Sequence, residues 1–156
     1  MKPILSIIYV YYNTPLEIQK SIESLGIALR AISYEIIVVD NASFKKVPKD
    51  LFKLPNIKIV KNKKNYGYGK GLNLGAGVAQ GKYLLLVNPD TKFTADSIKY
   101  LLDKIESDSK IGVIGPQLID EKGEILQSIS GMPYLPRALF IFSFIIHKYI
   151  HKYIFI

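Results

Sequence analysis

The sequence predicts a single α/β domain built on a mostly parallel central sheet with helices on both faces. Three observations carry that expectation. Short aliphatic and β-branched runs at 4–10, 35–39 and 83–87 lack the alternation of a half-exposed strand, so they read as strands covered on both sides. Stretches with apolar residues at helical spacing lie between them. The resulting order of strand, helix, strand, connection and strand is that of parallel crossovers, which are right-handed.

Composition bounds the rest. The 156 residues suffice for one domain with a proper core and are short for two. Hydrophobic content of 49% with 22% charged residues is globular rather than disordered. The absence of cysteine excludes a disulfide framework and thiolate metal sites, and fits a reducing compartment. A net charge of +8 favours anionic partners: nucleotides, nucleic acid or acidic lipid. The N-terminus carries Lys2 and an apolar run over 4–12 but no small-residue cleavage site, so it reads as a strand and not as a signal peptide.

Taken in order, residues 4–10 form the first strand. Thr14 as N-cap, Pro15 at the first helical position and Glu17 as capping-box partner then open a helix. Leu16, Ile22, Leu25, Ala28, Leu29 and Ile32 give that helix its apolar face. A second strand at 35–39 runs into Asp40-Asn41-Ala42-Ser43; residues 45–54 are a basic connection or short helix, and 58–60 a brief third strand. Residues 65–71 read as a glycine-rich entry loop and 72–80 as a helix whose small residues let it lie close to the sheet. After the buried strand at 83–87, Asn88-Pro89-Asp90-Thr91 has turn chemistry. Thr94 can cap a helix to about Glu106, with Ile98, Leu101, Leu102 and Ile105 as its stripe. A strand at 111–114 and a hairpin turning at 120–123 complete a domain spanning 1–137.

Residues 138–156 differ in composition, being almost entirely aliphatic, aromatic, Lys and His. Their least polar part, 138–146, is about half the ~20 residues a spanning helix needs, so no transmembrane segment is predicted. His147-Lys148-Tyr149-Ile150 repeats as His151-Lys152-Tyr153-Ile154, which on a helix gives each residue type its own stripe. Such a helix suits a bilayer interface, or packs on another part of the protein. His147 and His151 are not a zinc pair: Lys148 stands where a metalloprotease helix has glutamate, and no third ligand is evident.

The polar residues that end the strands carry the functional signal. Asn13 follows the first strand, Asp40 the second, and Asn88 with Asp90 the strand at 83–87, so in a parallel sheet all face one crevice. An exposed carboxylate with an amide two residues earlier offers hard oxygens to a divalent cation that also holds phosphate, although the same residues also make an ordinary turn. The glycine-rich segment is neither a P-loop, because Gly71 follows Lys70, nor a dinucleotide fingerprint, because Leu74 stands where glycine is needed.

Ser6-Ile7-Ile8-Tyr9-Val10-Tyr11-Tyr12-Asn13, Val38-Val39-Asp40-Asn41-Ala42-Ser43, Asn65-Tyr66-Gly67-Tyr68-Gly69-Lys70-Gly71-Leu72-Asn73-Leu74-Gly75 and Leu86-Val87-Asn88-Pro89-Asp90-Thr91 resemble, in order and spacing, the signatures of glycosyltransferase family 2. The resemblance is strongest to its rhamnosyltransferase-like branch, where Asn-Pro-Asp replaces the usual Asp-X-Asp. Ile114-Gly115-Pro116-Gln117-Leu118 and residues 123–128 continue it, to about Arg137.

The resemblance implies a GT-A fold, a UDP- or dTDP-sugar donor, and Mg2+ or Mn2+. Implied donor contacts are Tyr11, Tyr12 and Asn13 around the base, Asp40 on the uracil or thymine edge, and Asn41 towards the ribose. Gly71 and Asn73 match the family's loop-to-helix segment near the donor. Asp90 is the implied metal ligand, and Asn88 stands at the first Asp-X-Asp position, by the ribose and metal. Tyr11 departs from the family, which usually has Thr or Pro there.

The implied activity is inverting transfer of the sugar to a polysaccharide or lipid-linked acceptor, by a cytoplasmic protein peripheral to the inner face of the cell membrane. The family's acceptor-side segment and general base lie well beyond Asp90, and nothing after Arg137 resembles them. The expected unit is therefore the donor-binding half, with a second chain as a candidate source of the acceptor half. No catalytic base is assigned, since Asp120 and Glu121 fall in the predicted hairpin turn. One rival is an inactive or split nucleotide-sugar-binding module. Another, resting on charge and on Tyr66 and Tyr68 in a basic loop, is a nucleic-acid binder, a partner class the family resemblance does not lead one to expect.

Overall fold

The computed structural model describes residues 2–29, 31–120 and 122–126, with the backbone of 152–155. Its elements in chain order are β1 (Leu5–Tyr11), α1 (Pro15–Ala28), β2 (Tyr34–Asp40), a 3-10 turn (Lys49–Lys53), β3 (Ile57–Lys61), α2 (Tyr68–Ala76), β4 (Tyr83–Val87), α3 (Ser97–Ser107), β5 (Val113–Ile114) and β6 (Lys152–Phe155). The sheet order is β3-β2-β1-β4-β6-β5, and every described pairing is parallel. Tyr11 lies opposite Asp40 and Tyr9 opposite Val87, so β1, β2 and β4 finish almost level.

Alternation along β1 divides the core. Leu5, Ile7, Tyr9 and Tyr11 face one side with Ile18, Ile22 and Leu25 of α1 and Ile98, Leu101 and Ile105 of α3. Ile8 and Val10 face the other with Leu72 of α2. Both faces are buried, which is why the strands carry no polar alternation.

Several local expectations change. Thr14 makes no capping hydrogen bond, and its hydroxyl is buried without a partner among the described residues. The helix starts instead on the Thr14 carbonyl, which accepts from the Ile18 amide at 3.1 Å, with Pro15 in the first turn. Its buried face is Ile18, Ser21, Ile22, Leu25 and Ala28. Leu16 is 67% exposed, because two residues from Ile18 is roughly 200° around a helix. Ile32 packs from beyond the helix end. Asp96, not Thr94, holds the N-cap position of α3, while the Thr94 carbonyl accepts from the Ser97 hydroxyl at 2.8 Å.

The helix expected over 72–80 runs from Tyr68 to Ala76. Gly67, at φ 83°, lets the chain turn sharply into it. Gly71 and Gly75 then lie on its sheet-facing side: a Cβ on Gly71 would stand 2.8 Å from Val10 Cγ1, and one on Gly75 2.5 Å from Ile8 Cγ2. Gly75 thus lets the helix lie close to the sheet as expected, and Gly71, which reads as part of the entry loop, shares that contact surface.

The hairpin forms as expected. Ile119 bridges Ile125 antiparallel, Gly123 has φ 83°, and Asp120 Oδ1 accepts from the amides of Lys122 and Glu124 at 2.8 and 2.9 Å. The helix expected over 138–156 does not hold at its end, where Lys152–Phe155 form β6 between β4 and β5. Tyr, Ile and Phe there are strong strand formers, and pairing along β4 overrides a helical period. The rest of that stretch lies outside the described residues. Among the described residues no helix is long and apolar enough to cross a membrane.

The amino ends of the strands are tied by Glu35. Its Oε1 accepts from the Ser6 hydroxyl at 2.7 Å and the Gln80 amide at 2.6 Å, and its Oε2 from Lys58 Nζ at 3.1 Å. Ser6 Oγ in turn accepts from the Gly81 amide at 2.8 Å. Burial pushes the Glu35 carboxyl up, but the donors from Ser6, Gln80 and Lys58 together hold it below its ordinary value.

Two stability predictions follow from these contacts. Gly75→Ala should lower stability by about 1–3 kcal/mol through overpacking on Ile8. Gly77→Ala, whose added Cβ meets only ordinary contacts at 3.5 Å, should be neutral or up to ~1 kcal/mol more stable; urea midpoints compare the two. Because the folded Glu35 pKa is depressed, its contribution is complete above the ordinary 4.5 and is lost as pH falls below it. The stability gap between wild type and Glu35→Gln, about 1–2 kcal/mol near neutral pH, should stay flat down to about pH 5 and then close in acid denaturation series.

Candidate functional site

In an open parallel sheet, ligands bind beyond the carboxyl ends of the strands where the strand order reverses. Here that point is between β1 and β4, since β2 and β3 lie to one side of β1 and β4 to the other. The chain leaves β1 through Tyr12 and Asn13, β2 through Asn41 to Ser43, and β4 through Asn88 to Thr91. α2 follows β3 and its loop, so its first residues open on the same end of the sheet.

Backbone geometry at these strand ends is unusual. Asn13 and Ala42 both have φ 61°, a left-handed conformation that costs a non-glycine residue on the order of 1 kcal/mol. Hydrogen bonds hold them. Ser43 Oγ accepts from the Asn13 amide at 3.1 Å and donates to the Tyr11 carbonyl at 3.3 Å, and the Ser43 amide donates to Asp40 Oδ1 at 2.9 Å. Asn13 Oδ1 accepts from the Lys45 amide at 3.0 Å. Two separate strand ends are thereby locked to each other.

Asn41 fixes the third side. Its side chain is buried, and its Nδ2 donates to Asn65 Oδ1 at 2.7 Å and to the Gly67 carbonyl at 3.2 Å. Its Oδ1 accepts from Asn62 Nδ2 at 3.0 Å and the Tyr66 amide at 3.1 Å. Both donors and both acceptor positions of the amide are used. Asn65 Oδ1 also accepts from the Gly67 amide at 2.8 Å, just before α2.

The expected donor residues are therefore placed differently from one another. Tyr12, Asn88 and Asp90 are exposed at strand ends, and Asn13 and Asp40 are partly buried there. Tyr11 reaches the crevice by its backbone alone. As an odd position of β1 its ring is buried on the α1 side, and its hydroxyl donates to the carbonyls of Lys45 at 2.7 Å and Lys46 at 3.1 Å. Asn41 acts on the loop. Gly71 is buried against Val10 in the α2–sheet contact. Asn73 is exposed on α2, about 7.5 Å along its axis from Tyr68.

Two further residues belong to the site. Tyr68, at the start of α2, is 46% exposed, and partial burial and then the negative charge of Asp90 push its phenol up. Ser43 is the second, and strand-end position is the signal that could have marked it.

Asn88 and Asp90 flank one turn, closed by the Thr91 amide donating to the Asn88 carbonyl at 3.1 Å. Among the described residues there is no cluster of three or more His, Cys, Asp or Glu that could hold a metal by itself. One exposed carboxylate and one amide do fit Mg2+ or Mn2+, which bind through one or two carboxylates plus phosphate and keep several waters.

A parallel sheet with this crevice, α1 and α3 on one face and α2 on the other, defines a GT-A-type α/β domain. The crystal structure of S. aureus TarS 1–349 in complex with UDP-GlcNAc shares the fold, with a TM-score of 0.68 over 82% of this chain and 38% of that one at 23% identity. The sequence profile of glycosyl transferase family 2 matches residues 6–150, and the chain belongs to that family. It is 29% identical, over 151 residues, to the N-acetylglucosaminyl-diphospho-decaprenol L-rhamnosyltransferase of Mycobacterium tuberculosis, covering 88% of this chain and 48% of the relative. It is 23% identical to the succinoglycan biosynthesis protein ExoO of Rhizobium meliloti, over 97% of this chain and 45% of that protein. The chain thus spans about half the length of these relatives.

Asn41→Ala should release the 62–67 loop at a cost of about 2–3 kcal/mol, since it leaves several buried partners unpaired. Hydrogen exchange should speed up at the Tyr66 and Gly67 amides while the β2 amides of Ile37 and Val38 keep the protection of the global fold.

Proposed function

We propose that this chain forms the donor side of a glycosyltransferase, binding a UDP- or dTDP-sugar in the crevice beyond β1, β2 and β4. One observation carries the reading: Asn13, Asp40, Asn88 and Asp90 stand at the carboxyl ends of three adjacent parallel strands that flank the switch point of a family 2 domain. Asp40 takes the N–H edge of the pyrimidine through the carboxylate oxygen that Ser43 leaves available. Tyr12 and Asn13 line the base, and the unpaired amides at the start of α2 face the diphosphate. Asp90, with Asn88, would hold a divalent cation, which when bound neutralises charge on the leaving diphosphate.

The reaction is direct displacement. A bond forms from an acceptor hydroxyl oxygen to the anomeric carbon as the bond to the diphosphate oxygen breaks, inverting that carbon. The acceptor is a polysaccharide or a lipid-linked sugar, as the names of the similar proteins suggest. The hydroxyl proton goes to the family's general base, which by the resemblance lies well beyond Asp90; Asp120, whose Oδ1 accepts from the hairpin amides of Lys122 and Glu124, is not assigned that role. That observation also favours a second reading, in which this chain binds the nucleotide sugar and transfers nothing by itself.

Thermal-shift titration with UDP and dTDP, each with Mn2+ and with EDTA, tests the site. A ligand that binds only the folded state adds RT ln(1 + [L]/Kd), about 2.7 kcal/mol at a hundredfold excess over Kd. The shift should need metal, fall at least tenfold in apparent affinity in Asp90→Ala and in Asp40→Ala, and be larger for the preferred base. Absence of a shift with either nucleotide would refute the donor site. Sugar transfer to a panel of acceptors then separates an active transferase from a binding module.

A further inference from the structure

We propose that residues 44–54 form a membrane-docking strap that seats the domain on an anionic lipid bilayer. The strap is firmly held. Val47 and Leu51 are buried in the core with α1, and the Tyr11 hydroxyl bonds the carbonyls of Lys45 and Lys46. The Lys45 amide is tied to Asn13. Although anchored at these points, the strap leaves Phe44 78% exposed, Phe52 51% and Leu54 39%.

Exposed lysines stand between these apolar side chains, at 45, 46, 49 and 53. The strap's one acid, Asp50, pairs with Lys53 at 2.7 Å. Lys45, Lys46 and Lys49 have no acidic partner among the described residues. Lysine heads over anionic headgroups and Phe or Leu side chains in the acyl boundary are the chemistry of interfacial binding. A nucleic acid fits less well. The strap's lysines would meet phosphates equally well, but it has no Arg, Asn or Gln to read base edges, and Leu54 offers nothing to a base.

Phe44 follows Ser43 directly, so docking brings the bilayer to the rim of the crevice. That orientation serves the lipid-linked acceptor of the reading above, but the binding itself does not depend on it.

Co-sedimentation of the full chain with phosphatidylglycerol-containing vesicles and with pure phosphatidylcholine vesicles tests the strap. The chain should sediment with the first and not the second. A lysine at an anionic surface contributes about fivefold in partition, so Lys45→Gln/Lys46→Gln/Lys49→Gln should lose at least tenfold. Phe44→Ser/Phe52→Ser should lose about tenfold. Both variants replace exposed side chains, so they should melt with the wild type and keep its UDP-dependent shift, which separates this test from that of the donor site.

Unchanged sedimentation of either variant would overturn the proposal, as would equal binding to neutral vesicles or none to anionic ones. A variant-sensitive change in sedimentation coefficient without vesicles would assign the strap to a second copy of the chain instead. Displacement of vesicles by single-stranded oligonucleotide would assign it to nucleic acid.

Discussion

The crevice depends on one buried amide. Asn41 has one neighbour for each hydrogen-bonding position, and these come from Asn62, Asn65, Tyr66 and Gly67. A buried amide left unsatisfied is expensive, so this network forms complete or not at all. The consequence reaches beyond the loop. Gly67 is the residue before α2, and fixing its carbonyl fixes where that helix begins. Asn41 thereby sets the position of the amides at the start of α2 relative to the ends of β1 and β2.

Close packing does the complementary work. With Gly71 and Gly75 against Val10 and Ile8, α2 lies nearer the sheet than side chains would allow. The approach brings Tyr68 into the field of Asp90. At the opposite end, Glu35 joins β1, β2 and β3 to the turn before β4, using charge-assisted hydrogen bonds that a neutral side chain matches only in part. The sheet is thus clamped at both ends by polar groups, while its two faces are apolar apart from the hydroxyls of Tyr9, bonded to Ser21, and Tyr11.

Much of this was legible in the sequence because apolar runs and strand-end polar residues are local signals. The buried strands, the stripe of α3 and the placement of Asn13, Asp40, Asn88 and Asp90 at the ends of parallel strands needed only period and order. What was not legible depends on partners distant in the chain. Gly71 reads equally as loop or helix until Val10 is known to lie beneath it. Asn41 reads as a ligand contact until Asn62 and Asn65 claim its amide. Tyr11 reads as a base contact by resemblance, yet its parity with Tyr9 and Ile7 puts its ring on their face of the sheet, which the structure shows to be the α1 face. The strand at Lys152–Phe155 was hidden by a four-residue repeat, which looks helical in isolation and pairs with β4 in context.

The polar choices at the strand ends also follow from charge. A nucleoside diphosphate is anionic, and each nearby carboxylate repels it by about 4 kcal/mol at 4 Å with an effective dielectric constant near 20. On the donor-side reading, Asn13 and Asn88 would supply hydrogen bonds without that repulsion, while Asn41 spends its own on the 62–67 loop. On the same reading, carboxylates stand only at Asp40, where a pyrimidine N–H would use one, and at Asp90, where a cation would offset one. With an amide at Asn88 in place of a second carboxylate, the cation meets less negative charge from the protein. A larger share of the diphosphate's charge then falls to the start of α2 and to the lysine-rich surface around it. On the donor-side reading, such a crevice would hold a cation chiefly through the ligand, so metal and nucleotide affinity would rise together.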